Sequence, residues 1–302
     1  MTTNTNRRSA MKNMAITAAG ALALPGLSAA AAPNFSNMKQ DLPTGKFPTL
    51  PPYRHSVCRW CFGSVPLEEL CEKVKPMGIT SIELTVPDEW ATLKKYGLTC
   101  AVATHSKASL THGFNEPGLH RPLRETYLDL LKKAAEAGIP NVIVFSGNRK
   151  GISDAIGLEH CAAGLDELVK QAEKQGVTII MELLNSRVDH FDYQCDHTTW
   201  GTALVEKIGS PNFKLLYDIY HMQIMEGDVI ATIRNHKDYI GHFHTAGVPG
   251  RHEIDETQEL NYPAIMRAIA ETGFKGYVAQ EFIPKAADGM ASLRKAVEIC
   301  TV

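Results

Sequence analysis

The stretch Val177-Thr-Ile-Ile-Met-Glu-Leu-Leu-Asn185 predicts the fold of the chain. It is a continuous apolar run that follows Gly176 and ends in a carboxylate and an amide. Such a run is typical of a strand buried on both faces, as in a parallel sheet covered by helices. Glu182 comes where this strand stops, so its side chain is expected either in solvent or in a site.

Three later stretches repeat this design, at residues 213–218, 239–244 and 276–281. Each contains apolar or aromatic residues and ends in a side chain able to bind a divalent metal ion. The four predicted strands therefore end, in chain order, in Glu182, Asp218, His244 and Glu281. Four successive strands that end in metal-binding residues indicate a shared site.

Strands and helices alternate from residue 54 onward. Eight strand–helix pairs across about 250 residues predict a single (β/α)8 TIM barrel over residues 54–302. The first strand-to-helix turn lacks the glycine pattern of a dinucleotide-binding fold, which disfavours a doubly wound sheet. The pattern places the first strand at His55 to Cys61, the second at Thr80 to Thr85 and the third at Leu98 to Thr104.

Helices are predicted after the fourth and the sixth strand. The helix from about Ser153 to Gln175 is expected to point Ile156 inward, and a single helix after Asp218 carries Ile219, Met222, Val229 and Ile233. Two long polar loops, 105–121 and 186–197, interrupt the regular alternation. Loops of this length in a compact domain are usually functional, so both are expected to contact a substrate.

The N-terminal segment has the pattern of an export signal. Arg7, Arg8 and Lys12 precede an apolar stretch from Met14 to Leu24, and small residues follow to position 32. This order predicts a twin-arginine-type signal peptide over residues 1–32, an arm or linker over 33–53, and a periplasmic destination. Ala10 stands where the twin-arginine motif usually has an aromatic residue. The alternative is a disordered alanine-rich tail.

Composition excludes several classes of protein. The chain has 302 residues, a formal net charge of −2 and 44% hydrophobic residues, as in an ordinary globular protein with a large core. It shows no basic stripe for nucleic acid. No apolar run after the N-terminal segment reaches the roughly 20 residues of a membrane helix. The expected partner is a small sugar-like or hydroxy-carbonyl substrate, and a homo-oligomer is an open alternative.

The seven cysteines are expected to be buried thiols, because they lie in strand and helix patterns. Cys58-Arg-Trp-Cys61 has the spacing of a metal or redox motif. It has no second pair or histidine ligands for zinc. The predicted first strand also places it inside a strand, whereas redox motifs lie at a strand-to-helix turn.

The four strand-end residues suit one divalent ion with open positions. Three carboxylates and one imidazole favour Mn²⁺, Mg²⁺ or Co²⁺, and Zn²⁺ is a further candidate although the set has no thiolate. For any single residue a structural role is the stronger alternative, since an Asp at a strand end often caps the next helix. The metal interpretation depends on all four residues meeting at one end of a barrel.

Residues 54–300 resemble the hydroxypyruvate isomerase branch of the xylose isomerase-like barrels. The resemblance is carried by Glu182-Leu-Leu-Asn185, Tyr217-Asp-Ile-Tyr-His-Met-Gln223, Gly247-Val-Pro-Gly-Arg-His-Glu253 and Ala279-Gln-Glu-Phe-Ile-Pro284. It implies that the metal ligands are Glu182, Asp218, His244 and Glu281. It also implies that Glu182 and Glu281 are the acid/base pair, and that His221 and Arg251 contact the substrate. Hydroxypyruvate isomerases carry Gln at the position of His244, whereas ketose 3-epimerase relatives carry His.

The leading hypothesis is a metal-dependent isomerase that interconverts a small hydroxy-aldehyde and hydroxy-ketone by proton transfer through an enediolate. A ketose 3-epimerase or keto-sugar dehydratase would use the same residues, and an exported sugar-binding barrel is the non-enzymatic alternative. A DNA-repair endonuclease would need more histidine ligands and a basic groove. Loop and strand-end residues are further candidates for substrate contact: Asn185, His112, His120, Asp189 and His190, with Trp60 and Phe114 as an apolar wall.

Overall fold

A computed structural model describes residues 51–302, and the predicted signal peptide and most of the arm lie outside this range. Eight parallel strands form one sheet in the order β2-β1-β8-β7-β6-β5-β4-β3. Single bridges at Ser81–Thr99 and Thr85–Ala103 link β2 to the β3 region and complete the ring. The strands are β1 (Arg54–Cys58), β2 (Ile79–Glu83), β3 (Val102–Ala103), β4 (Asn141–Val144), β5 (Thr178–Glu182), β6 (Phe213–Asp218), β7 (Ile240–Thr245) and β8 (Tyr277–Gln280). The predicted (β/α)8 barrel is confirmed.

The α-helices alternate with these strands in chain order. They are α1 (Leu67–Val74), α2 (Trp90–Lys95), α3 (His120–Ala137), α4 (Asp154–Gln175), α5 (Thr198–Ile208), α6 (Ile219–Met225), α7 (Val229–His236), α8 (Tyr262–Glu271) and α9 (Gly289–Ile299). Within residues 51–302, none of the helices has the length and apolarity needed to span a membrane.

The helix α4 and strand β5 show how the sequence builds one unit. The hydroxyl of Ser153 accepts a hydrogen bond from the Ile156 amide and so caps the start of α4. Gly176 ends the helix at φ 68°, a left-handed conformation that glycine adopts without a steric penalty. The chain then enters β5, whose last four residues are all buried. Apolar side chains on both faces of β5 thus carry Glu182 to the carboxyl-terminal end of the barrel.

The first strand is shorter than predicted. It ends at Cys58, and residues Arg59–Phe62 form a short 3-10 helix. The Cys58–Cys61 motif therefore lies at a strand-to-helix turn, and its predicted place inside a strand was wrong. All seven cysteines lie in the described part of the chain and are free thiols; six are buried as predicted, whereas Cys61 is half-buried. This turn also brings Trp60 to the end of the barrel.

Two helix predictions were also wrong in detail. The predicted single helix after Asp218 is broken into α6 and α7, because Gly227 and Asp228 adopt positive φ angles of 66° and 41°. Ile156 is 47% exposed, since it lies in the first turn of α4 beyond the edge of the core. The third strand was predicted from Leu98 to Thr104, but it covers only two residues. On the side that faces β2, this segment pairs only through isolated bridges.

Candidate metal centre

Four side chains converge at the carboxyl-terminal end of the barrel. One potential ligand atom from each of them lies within 4.8 Å of the others, and all four residues are buried. They are Glu182, Asp218, His244 and Glu281. Neighbouring parallel strands bring their ends to one rim, so residues far apart in sequence meet there. The grouping expected from four strand ends is therefore present in the structure.

His244 contacts both glutamates of the cluster through one ring nitrogen. Its Nδ1 is 2.6 Å from Glu281 Oε2 and 3.2 Å from Glu182 Oε1. On the other side of the ring, Nε2 is 2.9 Å from an oxygen of Glu83. Since an ionised carboxylate only accepts hydrogen bonds, a proton lies on Nε2. Burial would lower the pKa of this ring, but the neighbouring Cys58, Glu281 and Glu182 outweigh it and raise the pKa well above its usual value. Nδ1 then also carries a proton between two carboxylates, and a divalent cation bound there would displace it.

Asp218 serves the helix and the cluster with different oxygens. Its Oδ1 accepts hydrogen bonds from the backbone amides of Tyr220 (2.8 Å) and His221 (3.3 Å) and so caps helix α6. Its Oδ2 is 3.0 Å from the guanidinium of Arg251. The helix-cap alternative and the ligand hypothesis are therefore compatible, because one oxygen remains directed at the cluster.

Arg251 holds the cluster from the loop after β7. Its guanidinium contacts Asp218 and Glu281 and lies 5.4 Å from the centre of the Trp60 ring and 5.2 Å from that of Tyr220. Its backbone adopts a φ of 58°, which a non-glycine residue tolerates only where surrounding contacts fix it. Trp60 donates from Nε1 to Glu281 Oε1 at 2.7 Å. Both oxygens of Glu281 therefore have hydrogen-bond partners.

The carboxylates differ in their electrostatic environment. Burial, supported by the charge of Glu281, raises the pKa of Asp218 to about 7 against the opposing charge of Arg251. Burial and the charge of Glu281 also raise the pKa of Glu182. For Glu281, burial acts in the same direction, but the charges of His244 and Arg251 outweigh it and hold its pKa well below the usual range. The cluster has more negative than positive groups, which fits a divalent cation.

Three of the predicted substrate residues lie together beside this cluster. His221 is fully buried, with Nε2 2.6 Å from Arg251 Nη1 and Nδ1 2.7 Å from the side-chain nitrogen of Asn185. Asn185 also donates to Asp189 at 2.6 Å. Burial, and secondarily the positive charge of Arg251, lowers the pKa of His221 well below its usual value. The imidazole is therefore neutral at pH 7.

His112 was predicted to contact substrate, and the structure places it elsewhere. It is exposed, and its Nδ1 is 3.0 Å from Glu116 and 2.9 Å from Lys150 Nζ. The loop lines the site with residues before 111, is exposed at 111–112 and is buried again at 113–115. Phe114 is buried against Tyr127 and His120 bonds to the Phe114 carbonyl, so neither forms the expected wall or contact.

A cleft of about 430 Å³ opens above the cluster. It reaches Glu182 and Glu281 and is lined by Trp60, Leu84, Thr104, His105, Ala108, Leu110, Phe145, Leu184, His190 and Arg251. The two glutamates and Arg251 form its polar floor, while mainly apolar side chains from the first half of the chain form one wall. A concave, mostly apolar cleft with a few convergent polar groups is the usual form of a small-molecule site.

Sequence reasoning missed Glu83 and His242, which lie directly beneath the cluster. Both are fully buried, and His242 Nε2 is 2.8 Å from Glu83 Oε1. Glu83 is the last residue of β2, so the strand-end rule that predicted the four candidate ligands applies to it too. The signal was hidden because the second strand was predicted to continue to Thr85, whereas Leu84 leaves the strand with φ 56°.

Comparison with known proteins agrees with this geometry. Residues 71–298 match the model of the xylose isomerase-like TIM barrel family. The chain is 34% identical to a 2-oxo-tetronate isomerase of Cupriavidus necator over 175 residues, which is 56% of this chain and 65% of that protein. It is 36% identical to the hydroxypyruvate isomerase of Escherichia coli K12 over 116 residues, or 37% and 43% of the two chains. The matched segments thus span less than two thirds of these relatives.

A similar fold occurs in the crystal structure of an AP endonuclease, family 2, from Brucella melitensis. The TM-score is 0.72 at 24% identity, and the match covers 80% of this chain and 96% of that one. At this identity the likeness shows the fold alone. The family match covers most of the chain and confirms the resemblance drawn from the four sequence motifs: the chain belongs to the xylose isomerase-like TIM barrel family.

Proposed function

We propose that this chain is a metal-dependent isomerase that interconverts a small hydroxy-aldehyde and hydroxy-ketone, in the manner of hydroxypyruvate isomerase. One observation carries the proposal: two buried glutamates, Glu182 and Glu281, meet at the same nitrogen of His244 on the floor of a cleft. The names of the relatives support an isomerase of small keto acids. The reaction moves a proton between adjacent carbons beside a carbonyl, which requires acid/base groups within contact distance.

The four clustered residues would hold the ion: Glu182, Asp218, His244 and Glu281. Their oxygen-rich set suits Mn²⁺, Mg²⁺ or Co²⁺, with Zn²⁺ as a further candidate. When bound, a divalent cation supplies a Lewis acid that stabilises negative charge on the carbonyl and hydroxyl oxygens of a substrate. The chain itself contributes the buried, preformed geometry.

The two glutamates divide the proton transfer. Environments that push the pKa values of two carboxyl groups apart are the arrangement that assigns one as acid and one as base. Glu281 is kept ionised by Arg251 and His244, so we assign it the abstraction of the proton. Glu182 has a raised pKa and lines the cleft, so we assign it the return of a proton to the neighbouring carbon. The roles exchange in the reverse reaction.

Arg251 and His221 orient the substrate in this proposal. Arg251 presents a planar set of N–H donors at the cleft floor, suited to a developing oxyanion or to a terminal carboxylate. His221 supports Arg251 from behind as a neutral ring. Asn185 in turn contacts His221, so its role is to position this ring.

A ketose 3-epimerase or a keto-sugar dehydratase is the second candidate. The observation that favours it is His244, because the resemblance places histidine at this position in ketose 3-epimerases. The same glutamates would act, and only the carbon that regains the proton would differ. Product analysis separates these reactions. An exported sugar-binding barrel without catalysis is a third candidate, and turnover would exclude it.

The test is a screen of small hydroxy-aldehydes and ketoses, hydroxypyruvate included, with Mn²⁺, Mg²⁺ and Co²⁺. Products are followed by NMR in deuterated water, which reports both isomerisation and exchange of the α-proton. The Glu182→Gln/Glu281→Gln double variant serves as the matched blank. Metal-dependent isomerisation by the natural protein alone is expected. Sugar binding without exchange or turnover, across the whole panel and all three metals, would contradict the proposal.

A further inference from the structure

Glu83 joins two histidines across the interior of the barrel. It leaves strand β2, whereas His242 and His244 point inward from alternate positions of β7. Its Oε1 is 2.8 Å from His242 Nε2 and 2.9 Å from His244 Nε2. All three side chains are fully buried. A carboxylate so enclosed is costly unless it is paired, so its partners matter.

The contacts fix the orientation of both rings. An ionised carboxylate accepts hydrogen bonds and donates none, so each histidine must offer Nε2–H to Glu83. On His244 this leaves Nδ1 directed toward Glu182 and Glu281, where a bound ion would displace its proton and take its lone pair. With the other tautomer, Nε2 and the Glu83 oxygen would repel each other at 2.9 Å, and Nδ1 would carry a proton where a ligand lone pair is needed.

His242 supports the arrangement from below. Its Nε2–H is the second donor to the same Glu83 oxygen. Within the described residues its Nδ1 has no hydrogen-bond partner, and neither does Glu83 Oε2. Both histidines thus donate to one oxygen atom, Oε1 of Glu83, and this shared acceptor fixes the orientation of both rings.

We propose that Glu83 is a positioning residue of the metal centre: it holds His244 in the Nε2–H tautomer with Nδ1 turned to the ion, and His242 anchors Glu83 for that task. This inference rests on the metal site proposed above. A histidine ligand that donates its other N–H to a carboxylate is a stronger and better-oriented ligand. Here the supporting carboxylate comes from the half of the barrel that contributes none of the four ligands.

Two other interpretations of the same contacts make different predictions. Glu83 could serve only the packing of the core, in which case its loss would lower stability without changing metal affinity. Cys58, Glu83 and His244 also lie close enough to hold a second ion. In that case the protein would bind two metal ions for each chain, and Glu83→Gln would abolish one of the two.

The first experiment compares Mn²⁺ binding by calorimetry in chelator-treated natural protein and Glu83→Gln. Glutamine keeps the shape and one accepting oxygen but removes the charge that favours donation from both rings. We expect one ion per chain and a dissociation constant about 10–100-fold higher in the variant. Glu226→Gln is the matched control, because this carboxylate accepts two hydrogen bonds from Thr198 and is not one of the clustered residues. Its Mn²⁺ affinity should stay within about twofold of the natural value, the limit for a change outside the site.

A double-variant cycle tests whether Glu83 acts through His244. In a His244→Gln background the ring that Glu83 orients is gone, so Glu83→Gln should cause less than about a twofold further loss of Mn²⁺ affinity. Equal losses in both backgrounds would overturn the proposal. So would unchanged Mn²⁺ affinity in Glu83→Gln with only a lower melting temperature, or a stoichiometry of two ions.

The tautomer can be measured without any change at position 83, in case Glu83→Gln fails to fold. Imidazole ¹⁵N shifts of the natural protein with Mg²⁺ bound should show the Nε2–H tautomer for both His242 and His244. The spectrum of the His244→Gln variant assigns the signals. An Nδ1–H tautomer at His244 would overturn the proposal. If the natural protein binds no metal at all, the proposed metal-dependent function is refuted. If it binds metal but Glu83→Gln binds equally well, only the role of Glu83 is refuted.

Discussion

The two halves of the barrel contribute different things to the site. Strands β5 to β8 deliver all four clustered donors from their carboxyl ends. The half from β1 to β4 delivers mainly apolar side chains to the cleft, such as Leu84, Leu110 and Phe145, and one buried carboxylate, Glu83, beneath it. The second half thus holds the four clustered side chains, and the first half shapes the space above them and contacts His244 from below.

This division has a physical basis. A divalent ion needs several anionic donors within a few ångströms, which neighbouring strand ends provide. Selectivity for a small molecule depends on the shape and polarity of the opposite wall, which need no charge. Changes in the second half should therefore affect proton transfer and metal affinity, and changes in the apolar wall of the first half should affect substrate binding.

The largest effects are expected from the two glutamates. Glu182→Gln and Glu281→Gln keep side-chain shape and one ligand oxygen but remove an acid/base group, so each should lower turnover by about 10²–10⁴-fold. Exchange of the substrate α-proton with deuterated water should be lost in Glu281→Gln and should persist in Glu182→Gln. Bound metal must be measured in the same samples, because metal loss would mimic the effect. Near-normal turnover in both metal-loaded variants would contradict the mechanism.

Metal affinity should depend on pH through Asp218. Its pKa of about 7 in the metal-free protein means that a proton competes with the ion below pH 7. We expect the apparent Mn²⁺ dissociation constant to fall about tenfold between pH 6 and pH 8, measured by calorimetry. Asp218→Asn should bind Mn²⁺ more weakly and with a shallower pH dependence, the rest of which comes from Glu182 and His244, whose pKa values are also raised. A pH-independent constant in the natural protein would contradict the assignment.

The stability of the metal-free protein should change in the opposite sense. A carboxyl group with a raised pKa favours the folded state most when it is protonated, below the usual value of 3.8. That contribution is lost as the pH rises through about 7. The melting temperature of chelator-treated protein should therefore fall over this range, and the increase on adding Mn²⁺ should be larger at pH 8 than at pH 6. Scanning calorimetry at both pH values checks this.

Smaller effects are expected from the apolar wall. Leu110→Ala removes apolar surface from the cleft without touching the donors, so it should raise KM about fivefold with little change in kcat. Ile156→Ala, an exposed apolar residue on α4, is the matched control and should leave both constants unchanged. A fall in kcat of more than tenfold in Leu110→Ala would show that the two halves are not separable in this way.

The N-terminal segment should have no effect on turnover. Arg7→Lys with Arg8→Lys should trap the full-length protein in the cytoplasm if the twin-arginine prediction holds. Fractionation and an activity assay on the same cells measure location and turnover together. Continued export of this double variant would leave a general secretory signal as the alternative.

Sequence patterns predicted the barrel and the donors because both depend on regular features. The apolar run of β5 and its terminal Glu182 follow one rule, and the rule recurs three times. The patterns failed where local geometry departs from regularity. Leu84 and Asp228 adopt left-handed conformations that their residue types do not predict. These positions hid the end of β2, and with it Glu83, and the break between α6 and α7.

The loop residues could not be placed for a different reason. His112 and His190 look equivalent in the sequence, since each is a polar residue in a long loop after a strand. Only His190 lines the cleft, whereas His112 forms contacts with Glu116 and Lys150 at the surface. Where a loop turns inward or outward depends on contacts between distant segments. Residue type alone does not encode that choice.

Asp218 links the proposed ion to the order of a helix. One oxygen of this carboxylate accepts hydrogen bonds from backbone amides in the first turn of α6, and the other faces the cluster. An ion that fixes the side chain would therefore also fix the start of the helix. Amide hydrogens of Tyr220 and His221 should then exchange more slowly in metal-loaded protein than after chelation. Amide exchange at the start of α6 would thus measure the metal occupancy of the site without any substrate.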